Sequence, residues 1–278
     1  MNGILFINKP EGLTSRDVVN KISKIFQTKK VGHTGTLDPM ATGVLVLCLG
    51  TYTKLVDKIT AYEKEYMATM KLGIKTDTLD TTGHILERKE VKISPEVIQQ
   101  VFNTFPKEYT QTVPIYSAVK VRGKKLYEYA REKEEVALPT RKVEIKKLEL
   151  LKIEKDEITF KALVSKGTYI RSLILDLAHQ MNTVASMSKL VRTKQGDISL
   201  ANCFSLEDIH INTPLKTIED LFSYPKVSLN EEEYRRFLNG NKLALDTKDT
   251  VVFVTYQNKT VGIYEKEEEF YRLMFKAI

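Results

Sequence analysis

Residues 141–181 read RKVEIKKLELLKIEKDEITFKALVSKGTYIRSLILDLAHQM. The pattern predicts two long strands, 141–155 and 157–167, separated by a tight turn and followed by a helix with apolar residues at 170, 173, 174, 177 and 178. Strands joined by a tight turn are antiparallel, whereas a doubly wound parallel sheet needs a helical crossover between its strands. We therefore expect an α+β fold with a mixed, largely antiparallel sheet and flanking helices.

Outward from this segment, the first half of the chain contains further apolar or alternating runs. They predict strands over residues 3–10, 44–50, 63–73 and 84–91. Two longer helices are expected after the capping residues Thr14 and Ser94, because Asp17 and Pro95 stand where they support a helix start. Shorter helices are expected over 51–61 and around 205–210 and 214–222.

The length of 278 residues exceeds what one core usually absorbs, which predicts a large domain and a small one. The character of the sequence changes at Pro225, so the expected division is 1–224 and 225–278. Within the tail, VVFVTY and TVGIYE flank QNK as a β-hairpin. So small a piece can hardly build its own core, and we expect it to pack on the larger domain.

Several classes of protein are excluded by simple features. The sequence contains no run of eighteen uncharged apolar residues, so it predicts no membrane span. The N-terminal sequence lacks the basic, apolar and small-residue sections of a secretory signal. Two cysteines and four scattered histidines predict neither a disulfide framework nor a metal site. We expect a cytoplasmic globular protein.

The positive charge of the chain is unevenly distributed. The formal net charge is +7, and residues 225–278 contribute nothing to it, with nine basic and nine acidic residues. Residues 107–147 hold eleven basic and six acidic residues. The concentration of positive charge favours a polyanionic partner.

The glycine-rich segment 31–43, VGHTGTLDPMATG, has no period and is expected to be a loop. It matches neither a P-loop nor a dinucleotide-binding fingerprint. It offers one carboxylate, Asp38, with His33 five residues earlier. From spacing alone, Asp38 is either a functional carboxylate or a turn residue that bonds its own backbone.

Two other loops contain side chains that could bind a metal ion or take part in a reaction. The segment 76–83, TDTLDTTG, fails the ligand spacing of a calcium-binding EF-hand and is expected to be a self-bonded loop. Tyr169 and Arg171 follow the loop 166–168 and are expected in the first turn of a helix, where an arginine needs compensation. Arg171 therefore either faces solvent or pairs with a carboxylate such as Asp38.

The segment 114–132 interleaves basic residues with tyrosines. Lys120, Arg122, Lys124 and Lys125 lie among Tyr116, Tyr127 and Tyr129. Such a segment is either an RNA-binding surface or a solvated hairpin and helix with half-buried tyrosines.

The chain resembles the bacterial tRNA pseudouridine synthases of the TruB type. The resemblance is carried by INKPEGLTS (7–15), KVGHTGTLDPMATGVL (30–45), KLGIKTDTLDTTG (71–83) and SKGTYIRSL (165–173), with shorter matches between them. It implies a catalytic domain of the pseudouridine synthase type and an RNA-binding insertion at about 106–140, called the thumb. It also implies a small, β-rich PUA-like C-terminal domain.

The resemblance also implies roles for individual residues. Asp38 matches the catalytic aspartate, Tyr66 the tyrosine that stacks on the target uracil, and Arg171 the arginine that pairs with the carboxylate. Tyr169 matches a supporting tyrosine and Leu190 an apolar pocket residue. The remaining matches are expected to contact RNA: His33 and the thumb residues Lys120, Arg122, Lys124 and Lys125. Lys9 and Lys54 are expected either to contact RNA phosphate or to support the site.

The family's reaction is the isomerisation of uridine 55 in the T loop of tRNA. It exchanges a carbon–nitrogen bond for a carbon–carbon bond without net redox change, so no cofactor and no metal are expected. The uridine must be flipped out, and Arg171 is expected to lower the pKa of Asp38. We expect a monomer that binds the tRNA T stem-loop. Alternatives are a non-catalytic RNA-binding or tRNA-folding protein on the same scaffold, or a synthase with another RNA target.

Overall fold

The computed structural model describes all residues, 1–278. Its β-strands are β1 (Gly3–Lys9), β2 (Val31–His33), β3 (Thr42–Leu49), β4 (Lys64–Leu72), β5 (Ile74–Thr76), β6 (Ile85–Arg88), β7 (Glu108–Thr112), β8 (Lys120–Val121), β9 (Lys124–Lys125), β10 (Thr140–Glu154), β11 (Glu157–Val164), β12 (Ala185–Gln195), β13 (Ile198–Ser199), β14 (Phe204–Ser205), β15 (Lys226–Ser228), β16 (Val251–Tyr256), β17 (Lys259–Glu267) and β18 (Phe270–Lys276). Its α-helices are α1 (Ser15–Ile25), α2 (Val56–Thr60), α3 (Pro95–Thr104), α4 (Leu126–Glu132), α5 (Ile170–Gln180) and α6 (Glu231–Leu238).

A ten-stranded mixed sheet forms the centre of the molecule. Its strand order is β14-β1-β3-β12-β4-β11-β10-β7, with β2 added to β3 and β13 to β12. Only the pairs β1/β14 and β3/β12 are parallel. The α+β class and the largely antiparallel sheet are therefore confirmed.

The hairpin β10–β11 and the following helix α5 agree with the pattern of residues 141–181. The two strands pair from Ile145↔Val164 to Glu154↔Glu157. Helix α5 buries Leu173, Ile174 and Leu177 against the sheet, in the main core of 35 residues that also takes in α1 and α3. The N-terminus of α5 is thereby fixed at one edge of the core, which matters for the site below.

A C-terminal β domain follows, built on the four-stranded sheet β15-β16-β17-β18 with helix α6. As expected, it packs on the larger part of the chain: Phe253, Ile263 and Phe275 share one core with Ile4 and Val46 of the central sheet. The expectation that it lacks its own core is wrong. Nine buried residues, all between positions 229 and 271, form a separate cluster inside it.

Two predicted helices are absent. Residues 205–210 continue from β14 into a turn, in which the Asp208 amide donates to Ser205 O. Of 214–222, only Ile218–Asp220 is helical, as one 3-10 turn capped by Thr217. Local hydrogen bonds compete with helix formation in these segments: the His210 amide donates to Thr213 Oγ1, and the Thr217 amide donates to the Asp220 carboxylate. No helix in the structure is both long and apolar enough to cross a membrane.

Candidate active site

Asp38 lies on the loop between β2 and β3, and its chain neighbours are firmly anchored. The Leu37 amide donates to Ser15 Oγ at 2.9 Å, and Ser15 Oγ donates to Leu37 O at 3.2 Å. On the other side, the carbonyl of Pro39 accepts from the Gly12 amide and from Lys9 Nζ. These contacts fix the backbone at both neighbours of the carboxylate, which limits the positions open to its side chain.

Arg171, the second residue of α5, forms a two-point ion pair with Asp38. Its Nε lies 3.0 Å from Oδ2, and its Nη2 lies 3.2 Å from Oδ1. The guanidinium also donates to Thr78 O at 2.8 Å and to Tyr116 O at 2.9 Å. The arginine is therefore buried and paired, not solvent-facing, and it joins the Asp38 loop to the loop 76–83 and to the thumb.

Burial raises the pKa of Asp38 above its ordinary value, and the nearby Asp80 adds to this increase. Arg171 lowers the pKa, as expected, and so does Lys9, but these charges do not outweigh burial. The desolvation of the carboxylate becomes visible only in the folded structure, and burial disfavours a charged carboxylate. Asp38 is consequently a more basic carboxylate than one in water, although its side chain is still 31% exposed.

Asp38 and Arg171 line a cleft with a volume of about 470 Å³. Tyr66 of β4 and Leu190 of β12 line it as well and are almost completely buried. They lie on neighbouring strands, with Leu190 opposite Ala68 and Arg192 opposite Tyr66. The structure thus brings the predicted aspartate, tyrosine, arginine and leucine to one cavity with an aromatic and aliphatic wall.

Tyr169 also lines the cleft, at the residue before α5. Its backbone is held by Gln111 of β7, whose amide oxygen accepts from the Tyr169 amide at 2.8 Å and whose amide nitrogen donates to Tyr169 O at 3.1 Å. The Arg141 guanidinium carbon lies 5.4 Å from the centroid of the Tyr169 ring. This packing holds the tyrosine beside Arg171.

Two cations in the cleft wall were not identified from the sequence. Lys64 begins β4 and Arg192 lies on β12, and they are 6% and 1% exposed. Sequence patterns treat charged residues in strands as solvent-facing, so no signal distinguished these two from exposed ones. Together with Arg141, Lys166 and Arg171 they make five cations around a single lining carboxylate, Asp38.

The predicted RNA contacts outside the thumb lie in different surroundings. His33 is half-buried on β2, and burial lowers its pKa, with the charges of Arg16 and Arg192 adding to the decrease. Lys54 is exposed on a 3-10 helix. Of the two roles expected for Lys9, the structure agrees with support of the site and not with contact to phosphate, because this side chain is 0% exposed and its ammonium donates to the carbonyls of Pro10, Leu13 and Pro39.

Within the thumb, the two-residue strands β8 and β9 pair as a hairpin, and helix α4 follows directly. Lys120 and Arg122 are exposed, and Lys125 Nζ donates to Tyr127 Oη at 3.1 Å. Lys124 differs from them, because Glu132 and Glu134 both pair with its ammonium. The thumb also reaches the cleft, where four of its residues form part of the wall: Tyr116, Ser117, Ala118 and Tyr127.

The loop 76–83 bonds to itself, as expected. Asp80 Oδ1 accepts from the hydroxyls of Thr78 and Thr82, and Asp77 Oδ1 accepts from the amides of Thr78 and His84. These oxygens are occupied by the loop's own donors. No group of three or more His, Cys, Asp or Glu side chains in the structure is arranged to hold a metal ion.

The combination of this sheet with a carboxylate in a cationic cleft defines a class of RNA-modifying isomerase. Residues 23–170 match the model of the TruB family pseudouridylate synthase, N-terminal domain. The tRNA pseudouridine synthase B of Clostridium tetani is 41% identical, over 99% of this chain and 99% of its own length. That of Oceanobacillus iheyensis is 42% identical, over 95% of this chain and 93% of its own. The chain belongs to the TruB family of pseudouridylate synthases.

Solved structures show the same fold. An H/ACA ribonucleoprotein bound to a substrate RNA containing 2′-deoxyuridine contains a chain that superposes with a TM-score of 0.71. The match is 24% identical in sequence and covers 99% of this chain and 84% of that one. At this identity the likeness concerns the fold alone.

Proposed function

We propose that this protein converts uridine 55 in the T loop of tRNA into pseudouridine, acting as a monomer. Asp38 attacks the target nucleotide, either at C6 of the uracil or at C1′ of the ribose. The C1′–N1 bond breaks, the uracil turns, and a C1′–C5 bond forms. The bond between Asp38 and the nucleotide is broken as well, which regenerates the carboxylate. The C5 proton leaves and N1 gains a proton, so electrons balance without an oxidant or reductant.

The single observation that carries the proposal is the position of Asp38 in the cleft. An anchored carboxylate, paired at two points with a buried arginine, lies in a cavity of about 470 Å³ that also contains Tyr66 and Leu190. A target base inside a folded RNA loop reaches such a cavity only after it is flipped out. Tyr66 then offers a surface for stacking, Leu190 an apolar wall, and Tyr169 supports the arginine.

Recognition of the tRNA is assigned to the surfaces around the cleft. The thumb (106–140) and His33 are proposed to contact the T arm, through phosphates and unstacked bases. Residues 1–224 are proposed as the catalytic domain, and 225–278 as a PUA-like domain that adds RNA-binding surface. The relatives from Clostridium tetani and Oceanobacillus iheyensis, which are named for tRNA, support this substrate.

The test is incubation of the purified protein with an unmodified tRNA transcript, followed by mapping of pseudouridine along the RNA. We expect pseudouridine at position 55 and none in a transcript with cytidine at that position. Binding without product would favour a non-catalytic RNA-binding protein. Product at another position, or only in another RNA of a transcript panel, would assign the enzyme a different target.

A further inference from the structure

The cleft contains two cations that the reaction described above does not use. Lys64 Nζ donates to Thr60 O and to Tyr62 O, both at 2.6 Å, which leaves its third N–H free. Arg192 donates from Nε to Val44 O at 2.6 Å and from Nη2 to Gly35 O at 3.1 Å. Its Nη1 makes no hydrogen bond within the protein, and neither side chain forms an ion pair.

The side chains of Lys64 and Arg192 both approach Gly35, in the loop that carries Asp38. A Cβ atom placed on Gly35 would lie 3.3 Å from Arg192 Nη1 and 3.9 Å from Lys64 Cε. Gly35 precedes Asp38 by three residues, and both cations line the same cleft as the carboxylate. A ligand group that reaches them therefore lies in the same cleft as Asp38.

Two neighbouring cations withdrawn from water without a counter-charge are unfavourable for the isolated protein. Burial, together with the charges of Arg192 and Lys166, lowers the pKa of Lys64 to about 8. An anion placed between Lys64 and Arg192 would remove this penalty, and it would accept hydrogen bonds from the unused donors.

Lys9 shows what a purely structural lysine looks like in this protein. It is also buried, but all three of its N–H groups are used, by Pro10 O, Leu13 O and Pro39 O. It does not line the cleft. Lys64 has one donor left and an opening towards the substrate, which distinguishes it from a lysine that only holds a loop.

We propose that Lys64 and Arg192 form an anion subsite that binds a backbone phosphodiester of the everted nucleotide. The inference rests on the proposed function, because it requires RNA as the substrate. A phosphodiester is a monoanion with two free oxygens, which matches one ammonium donor and one guanidinium donor. Its capture beside Asp38 fixes the ribose of the nucleotide that the carboxylate attacks, so the subsite positions the substrate.

The experiment is a phosphate scan of a T-arm stem-loop. Each backbone phosphate around the target uridine is replaced, one at a time, by an uncharged methylphosphonate, and the Kd is measured for each RNA. With the wild-type protein we expect one replacement, at a phosphate flanking the target, to weaken binding by roughly 10-fold or more, as for a lost charge-assisted hydrogen bond. If no phosphate flanking the target matters, the subsite is disproved without any variant.

The variants Lys64→Gln and Arg192→Gln complete a double-mutant cycle with that RNA. Both variants should bind the unmodified stem-loop as weakly as the wild type binds the stem-loop with the critical methylphosphonate. Introducing that methylphosphonate should not change their Kd any further. Lys64→Arg keeps the positive charge, so its Kd should still rise when the critical phosphate is replaced by methylphosphonate. Arg122→Gln is the matched control: a thumb cation whose loss leaves the sensitivity at its wild-type value.

The outcomes separate this inference from the proposed function. Lys64 and Arg192 variants that fold, by thermal unfolding, yet remain as sensitive as the wild type would overturn the subsite. Inorganic phosphate could compete with the stem-loop for binding while the methylphosphonate replacements have no effect. That result would assign Lys64 and Arg192 to free phosphate and would also overturn the subsite. Pseudouridine formation is measured in parallel. If the wild type forms pseudouridine but its Kd is the same for every methylphosphonate RNA, the anion subsite is contradicted and the proposed function is not.

Discussion

The cleft and the thumb both concentrate positive charge, but they hold it in different ways. In the cleft wall, Arg171, Lys64 and Arg192 are buried, and each is held in place by hydrogen bonds to carbonyl oxygens or, for Arg171, also by the ion pair with Asp38. The positions of these charges are set by strands β4 and β12 and by helix α5. Little reorganisation is needed when a reacting group arrives between them, which is the condition for strong electrostatic stabilisation.

In the thumb, the charges lie on a short hairpin and a two-turn helix. Lys120 and Arg122 are exposed, and Lys124 is already neutralised by Glu132 and Glu134. Exposed charges attract a polyanion over a distance but are screened by salt. We therefore expect the cleft to control turnover and to hold the target nucleotide, whereas the thumb contributes only to affinity. Within the thumb, Lys124 should contribute less than Lys120 and Arg122.

The largest effect is expected from Asp38→Asn. The change removes the nucleophile while keeping the size of the side chain, so turnover should fall by roughly 10³-fold or more. Affinity for tRNA should stay within about tenfold, because the proposed phosphate contacts are made by cationic side chains and not by Asp38. Single-turnover kinetics and a binding titration measure the two quantities. Turnover near the wild-type value would remove Asp38 from its role and end the contrast between cleft and thumb.

Arg171→Gln should reduce kcat by roughly 10²–10³-fold, the range seen when one preorganised donor is lost. The guanidinium holds Asp38, Thr78 O and Tyr116 O at once, so its loss frees three loops. Arg171→Lys keeps the charge but not the two-point geometry, and it should recover only part of the loss. Rates are compared at saturating RNA, and full activity of the lysine variant would show that charge alone suffices.

The pH dependence gives a further distinction. Burial raises the pKa of Asp38, and Arg171 lowers it. The carboxylate is active when ionised, so kcat/KM should fall as the pH drops through this raised pKa, above the usual value of about 3.9. In Arg171→Gln the fall should begin at higher pH, since desolvation is then less opposed. Lys124→Gln is the control and should leave the profile unchanged.

The smallest effects are expected in the thumb. Lys120→Gln combined with Arg122→Gln should weaken tRNA binding and flatten the plot of log K against log salt by about one to two units, the loss of up to two phosphate contacts. Lys124→Gln alone should change the slope less than either single variant, because its charge is already paired with two glutamates. Equal slopes for all variants would mean that the thumb does not contact phosphates.

Much of this arrangement could be predicted from the sequence. Strands β10 and β11 and helix α5 follow clear periodicities, and the Asp38–Arg171 pair was one of two alternatives for an arginine near a helix start. Strand β12 was missed. Register shifts between Met187 and Lys189 and between Arg192 and Lys194 interrupt its alternation, so it shows no period of two.

The remaining errors have a common origin in burial, which a sequence expresses poorly. The sequence does not show that Lys9, Lys64 and Arg192 are buried, nor that burial outweighs Arg171 in its effect on the pKa of Asp38. In each case a charged side chain was treated as though water surrounded it. Only the assembled sheet shows which cations have lost that water and which acceptors replace it.

The most direct measurement is a structure of the protein with a T stem-loop that carries 5-fluorouridine at the target position. The account predicts that the modified base lies in the cleft against Tyr66, with an Asp38 oxygen bonded to, or within about 3.5 Å of, C1′ or C6. A base that remains stacked in the RNA loop, or one that enters the cleft with Asp38 directed away from both carbons, would contradict it.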